Sequence, residues 1–219
     1  MSEFRNNDSL LSLNTDPIPE PNEKAATARW IVRNNNWGTI GTTSTLDGFA
    51  GRAFANPNSY ADGVLGGSTG EVFLYVTDMD QSMVDVAENN QAAFSISEAQ
   101  IGLCAYRWRG CQSWVIVKIK ASSGTNWQSF FGSQLDPEDP RCARLVLMGT
   151  IAPVDKDDAR YEGALAKMFY MHPAMADWPD DHMFYLAEFA IESVWLIDYF
   201  GGAYTVPLPD YYAGHEIRQ

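Results

Sequence analysis

Hydrophobic and polar positions alternate in short runs along most of this chain, the pattern of strands separated by brief helices. In KAATARWIVRNNN, Ala28, Ile31 and Val32 stand at helical spacing, and Asn34 to Asn36 end the element. WGTIGTTST reads as a small-residue strand, and GFAGRAFAN returns across a Leu46-Asp47-Gly48 turn as the second arm of a hairpin. Glycine-rich residues 57–70 predict a loop, and VFLYVT (72–77) a β-branched, aromatic strand. DMDQSMVDVAENN predicts a short helix capped by Asp78 or Asp80, with Met83, Val86 and Ala87 on one face.

AAFSIS (92–97), WVIVKIK (114–120) and ARLVLMGTIAPV (143–154) read as strands, the middle one inside an insert-like stretch over 99–140. DKDDARYEGALAKMFYMHP predicts a helix whose acidic first turn suits the helix dipole and whose apolar stripe is Tyr161, Leu165, Met168 and Phe169. HMFYLAEFAI and SVWLIDYF close the chain as two further strands. Strands mostly follow strands, without strict βαβ alternation. The expected fold class is therefore mainly β (α+β), an antiparallel barrel of about six to seven strands with peripheral helices.

At 219 residues, 46% of them hydrophobic, the chain suits one compact domain. Residues 1–23, with prolines at 17, 19 and 21, read as a flexible tail, 24–212 as the folded domain and 213–219 as a C-terminal tail. The net charge of −13 and the lack of a basic cluster put nucleic acid and anionic membrane surfaces at the bottom of the partner list. No apolar run reaches the roughly eighteen residues that a membrane-spanning helix requires. The N-terminus shows no basic stretch followed by an apolar core, so the given chain carries no secretory signal.

Candidate chemistry is sparse. Cys104, Cys111 and Cys142 fit no zinc spacing. Cys104 and Cys142 bracket the insert-like stretch, where they either pair as a staple or remain buried thiols. His172 and His182 flank a Pro-rich loop and read as loop histidines bonded to nearby backbone, and His215 lies in the C-terminal tail. Residues 63–70 lack the Lys-Ser/Thr of a phosphate-binding loop. The paired acids Asp155 to Asp158 and Asp180-Asp181 form no acid/base couple. No catalytic set emerges from the residues alone.

The segment 171–212 is more specific. His172-Pro173, Met175, Trp178-Pro179, His182, then Trp195, Asp198-Tyr199-Phe200-Gly201-Gly202 and Tyr211-Tyr212 resemble the C-terminal half of the CREG family. Upstream, ARWIVRNNNWGTIGTTSTL and GRAFANPNSYAD resemble the family's first helix, first strand and Gly-Arg-x-Phe-Ala segment, so the likeness spans about residues 25–212. Cys104 and Cys142 also match family cysteines.

The resemblance implies a split β-barrel similar to the FMN-binding pyridoxamine-phosphate oxidases, and a homodimer. In flavin-binding relatives a Thr…Ser-Arg-Lys run after the third strand grips the cofactor phosphate. Here the run is Thr77-Asp78-Met79-Asp80-Gln81-Ser82-Met83-Val84, with the basic pair replaced and two aspartates added. Losing two charge-assisted hydrogen bonds at about 1.5–3 kcal/mol each disfavours a dianionic phosphate. The expectation is a non-catalytic protein with no cofactor and a vestigial flavin-phosphate region at Arg52, Thr77 and Ser82. It would work through protein or receptor partners and be secreted or endolysosomal. FMN-dependent oxidoreduction through Arg52, backbone amides and Ser82 is the alternative. The glycosylation candidate is Asn7, in Asn7-Asp8-Ser9.

Overall fold

A computed structural model describes residues 17–21, 23–102, 104 and 136–213. Among the described residues eight strands, β1 (Trp37–Thr43), β2 (Ala53–Ser59), β3 (Ala61–Asp62), β4 (Val72–Val76), β5 (Gln91–Ser97), β6 (Arg144–Pro153), β7 (Tyr185–Ile197) and β8 (Tyr204–Val206), form one sheet. Its order is β2-β1-β5-β6-β7-β4-β3, every pairing is antiparallel, and β8 adds to β7. Four α-helices among the described residues, α1 (Lys24–Asn34), α2 (Gln81–Glu88), α3 (Tyr161–Met171) and α4 (Leu208–Ala213), lie around this curled half-barrel.

The period-2 pattern explains the closure. Ile40, Phe94, Ile96, Leu145, Leu147, Phe189, Val194 and Leu196 point inward from four successive strands and are almost fully buried. Trp30, Ile31 and Val32 of α1 and Tyr211 of α4 join the same core. Asn34 and Asn35 end α1 by donating their side-chain amides to the carbonyls of Trp30 (2.8 Å) and Ile31 (2.9 Å). Just before α1, Ile18 packs against the core.

Several elements depart from the sequence expectation. The two closing strands are one: β7 runs continuously through Glu192-Ser193, and its extra residue, Glu192, is absorbed as a bulge opposite Met148 and Gly149 of β6. Gly149 suits that position, because a Cβ there would lie 2.0 Å from the carbonyl oxygen of Ala190. Residues 57–59 and 61–62, read as loop, extend β2 and form β3. The predicted strand 114–120, Cys111, His215 and Asn7 lie outside the described residues.

The helix after β6 begins only at Tyr161, so Asp155, Asp157 and Asp158 precede it instead of serving its dipole. Asp158 is claimed by Arg160, whose guanidinium also meets Glu71 and Glu188, each at 2.8 Å. One cation thus ties the start of α3 to the sheet.

Cys104 and Cys142 are joined as a disulfide, Cα to Cα 4.6 Å, across a sequence separation of 38. Both are fully buried. Alongside, Ala143 donates its backbone N–H to the Glu98 carboxylate at 3.0 Å, and Glu98 donates its own N–H to the Ala143 carbonyl at 2.9 Å.

Candidate functional site

A cleft of about 560 Å3 opens where β4 ends and α2 begins. The turns between α3 and β7, residues 173–177 and 180–182, wall its other side with Met175, Trp178, Pro179 and His182. Pro57, Asn58 and Ser59 of β2 line it as well. Thr77 ties the two sides together by donating its hydroxyl to the carbonyl of His182.

The chain turns sharply at Asp80 and enters α2. The Asp80 carboxylate caps the helix, with Oδ1 accepting from the Ser82 amide at 2.7 Å. The Asn56 amide of β2 reaches Oδ1 at 3.3 Å and Oδ2 at 3.2 Å, and the Ser82 hydroxyl at 3.2 Å. The positive end of α2, where a phosphate would be welcome, is therefore occupied by an anion belonging to the chain itself.

The expected phosphate residues separate in space. Thr77 lines the cleft. Ser82 is completely buried behind Asp80, with its amide already used. Arg52 sits in the β1–β2 turn, one residue before β2, exposed and 5.3 Å above the Phe49 ring. It is not among the residues lining the cleft, and among the described lining residues there is neither Lys nor Arg.

An aromatic cluster forms the opposite wall. Tyr75 stacks on Phe184 at 5.3 Å and 20°, and on Trp178 at 6.2 Å and 26°, while Trp178 and Phe184 are 4.8 Å apart. Phe169 of α3 meets the Tyr75 ring edge-on at 5.3 Å. Burial, then Tyr161 and Asp180, push the Tyr75 phenol upward and keep it neutral. At the rim, Asp78 accepts from the Tyr185 hydroxyl at 2.8 Å. Burial and that contact push Tyr185 up to about 12.

Of the described histidines, His172 Nε2 lies 3.1 Å from the Tyr60 carbonyl, and His182 lines the cleft while its backbone oxygen accepts from Thr77. No group of three or more metal-ligating side chains occurs among the described residues.

Two buried carboxylates were not legible in the sequence. Asp85 of α2 accepts from Thr42 Oγ1 (2.7 Å), Thr45 N (2.8 Å), Thr45 Oγ1 (2.7 Å) and Gln81 Nε2 (2.7 Å). Burial pushes its carboxyl upward, and these four bonds outweigh that and leave it lowered. Asp62 of β3 faces Arg29 of α1 at 3.5 Å and accepts from Gly70 N at 2.7 Å. The Arg29 guanidinium lies 5.3 Å over the Tyr211 ring and donates to Ser68 at 3.0 Å. No periodic pattern announces such partners, which come from separate elements.

Comparison with known proteins agrees with this architecture. The chain is 35% identical to Protein CREG1 of Gallus gallus over 93% of each chain, and 30% identical to Protein CREG1 of Mus musculus over 90% of this chain and 76% of the relative. Among solved structures it resembles a heme binding protein from Mycobacterium smegmatis (TM-score 0.57, 20% identity, 90% of this chain and 62% of that one). It also resembles the protein Atu2129 from Agrobacterium tumefaciens (TM-score 0.53, 12% identity, 90% and 64%). The family model described as CREG, beta-barrel matches residues 19–213, and this chain belongs to that family.

Proposed function

We propose that this protein is a non-catalytic, homodimeric CREG split barrel with a degenerate flavin pocket, acting through protein contacts in the secretory and endolysosomal system. The observation that carries this reading is Asp80. Its carboxylate caps α2 and consumes the Ser82 amide at 2.7 Å, in the region where flavin-binding relatives hold phosphate. A dianionic phosphate entering there meets a fixed negative charge, finds no lysine or arginine among the described lining residues, and finds the Ser82 amide already taken by Asp80.

Dimerisation draws support from the solvent side of the central strands. Gly41 pairs with Ala93, Ala93 with Met148 and Met148 with Ser193, a row of mostly small side chains in which Met148 is 40% exposed. A stable dimer through such a face buries about 800 Å2 per subunit. The secretory assignment draws support from the Cys104–Cys142 bridge, a bond that persists in oxidising compartments. Asn7 stands as the acceptor for glycosylation, and a receptor is the partner class that a secreted protein of this kind would engage.

The experiment is titration of the purified protein with FMN, alongside sedimentation. The expected protein is colourless, does not quench flavin fluorescence saturably, and sediments at twice its 24.4 kDa chain mass. Flavin copurifying with the protein, or saturable binding at micromolar concentration, would establish the oxidoreductase alternative instead. A monomer at micromolar concentration would remove the dimer.

A further inference from the structure

We infer that the cleft beside α2 binds a small organic cation, an ammonium or guanidinium head carried on a short chain. Asp80 acts as its counter-ion, and Trp178 with its stacked neighbours Tyr75 and Phe184 as its aromatic wall. This rests on the reading that the cleft no longer takes an anionic cofactor, and it states what the altered chemistry now favours.

Three independent features meet in one cleft. The first is charge. Among the described residues Asp80 Oδ2 has only the 3.2 Å contact from Asn56, whereas Oδ1 is also held by Ser82 N, so Oδ2 keeps acceptor capacity toward the cleft. Asp180 lies close enough to act on the Tyr75 phenol, and Asp78 is fixed at the rim by Tyr185. No described lining residue except His182 can carry a positive charge. The second is the π surface. Trp178, the side chain best suited to cation–π contact, remains 38% exposed beside Phe184 at 4.8 Å and Tyr75 at 6.2 Å. The third is preorganisation. The Thr77–His182 bond ties the two walls together and the Asp80 cap fixes the start of α2, which lowers the ordering cost of binding.

A neutral ligand of the same shape would gain the ring contacts but leave Asp80 partly desolvated without compensation. An anion would gain neither. The chain's net charge of −13 adds a field that concentrates cations near the opening and is screened by salt. One carboxylate and one open aromatic wall correspond to millimolar affinity.

The test is calorimetric titration and ligand-observed NMR on the full chain, with choline, its uncharged carbon isostere (a tert-butyl group replacing the trimethylammonium), and FMN as separate probes. Choline is expected to bind saturably in the millimolar range and more weakly at high salt, with the isostere at least roughly ten-fold weaker. Asp80→Asn keeps a good helix cap, so the fold persists while choline affinity falls several-fold. Trp178→Ala abolishes binding, and Trp178→Phe retains part of it. Equal binding of choline and the isostere, unchanged affinity in Asp80→Asn, or no choline binding at tens of millimolar would overturn the inference. Failure of choline with FMN also inert rejects the cation site alone, whereas saturable FMN binding rejects the reading beneath it.

Discussion

Gly70 and Arg29 share the same few ångströms of the interior: a Cβ on Gly70 would lie 2.0 Å from Nη1 of Arg29 and 3.0 Å from the Tyr211 ring. Gly70 also sits at φ +86, where side chains are strained, and its carbonyl accepts from the Tyr211 hydroxyl at 2.9 Å. One residue without a side chain thus lets the guanidinium of α1, the carboxylate of β3 and the phenol of α4 meet. Gly70→Ala is expected to cost about 3 kcal/mol through backbone strain and displacement of Arg29, read as a lower urea midpoint. A midpoint within error of wild type would mean that the cluster contributes nothing.

The cap of α2 separates two roles of one residue. Asp80→Ala removes the acceptor for Ser82 N and is expected to lower stability by about 1 kcal/mol, while Asp80→Asn is nearly neutral. Thermal unfolding of both variants distinguishes them. Equal losses in the two would show that the charge, not the cap, supports the helix.

Acid sensitivity should draw on the buried Asp85. Its carboxyl is lowered in the fold by bonds from Thr42, Thr45 and Gln81 that outweigh burial, so the unfolded chain binds its proton first as pH falls. The stability it contributes is present above the ordinary carboxylate value of 3.8 and is lost as pH drops through the folded value. Thr42→Val, which removes one of the four bonds, is expected to flatten the fall of stability with acid over that window in denaturant titrations at stepped pH. A slope identical to wild type would assign the acid sensitivity elsewhere. Asp158, held down to about 2 first by the Arg160 side chain and then by the Arg160 backbone amide, contributes in the same direction from the surface.

Reduction of the Cys104–Cys142 bridge should destabilise the domain without unfolding the sheet. Closing a loop of 38 residues restricts the unfolded chain by about 4 kcal/mol in the chain-entropy account, and measured effects commonly run to about 2–4 kcal/mol. A double Cys→Ser variant should unfold at correspondingly lower denaturant while retaining its far-ultraviolet signature. Identical midpoints for oxidised and reduced protein would show that the bridge does not constrain the chain in solution.

The local alternation of side chains was enough to place β1, β2, β4, β5 and β6 to within a few residues, because strand periodicity is written in neighbouring positions. It also narrowed the cap of α2 to Asp78 or Asp80, of which the structure uses Asp80, since capping depends on the residue and the two that follow it. The loss of the basic pair at Met83-Val84 was equally plain, and the terminal Trp-x-x-Asp-Tyr-Phe-Gly-Gly run carried the family.

Tertiary structure decided the rest. β7 stays continuous by carrying Glu192 as an unpaired residue opposite Met148 and Gly149 of β6, a strand about forty residues away in sequence. The burial of Asp85 depends on Thr42 and Thr45, and that of Arg29 on Asp62, Ser68 and Gly70. A buried charge is tolerated only where partners converge on it, and convergence comes from elements that the chain brings together after long excursions. Sequence by itself determined where most of the strands would run and that Met83 and Val84 follow Ser82 at the start of α2. Only folding in three dimensions determined that the Asp80 carboxylate and the rings of Trp178, Tyr75 and Phe184 would line one cleft, because side chains far apart in sequence meet only when the sheet curls.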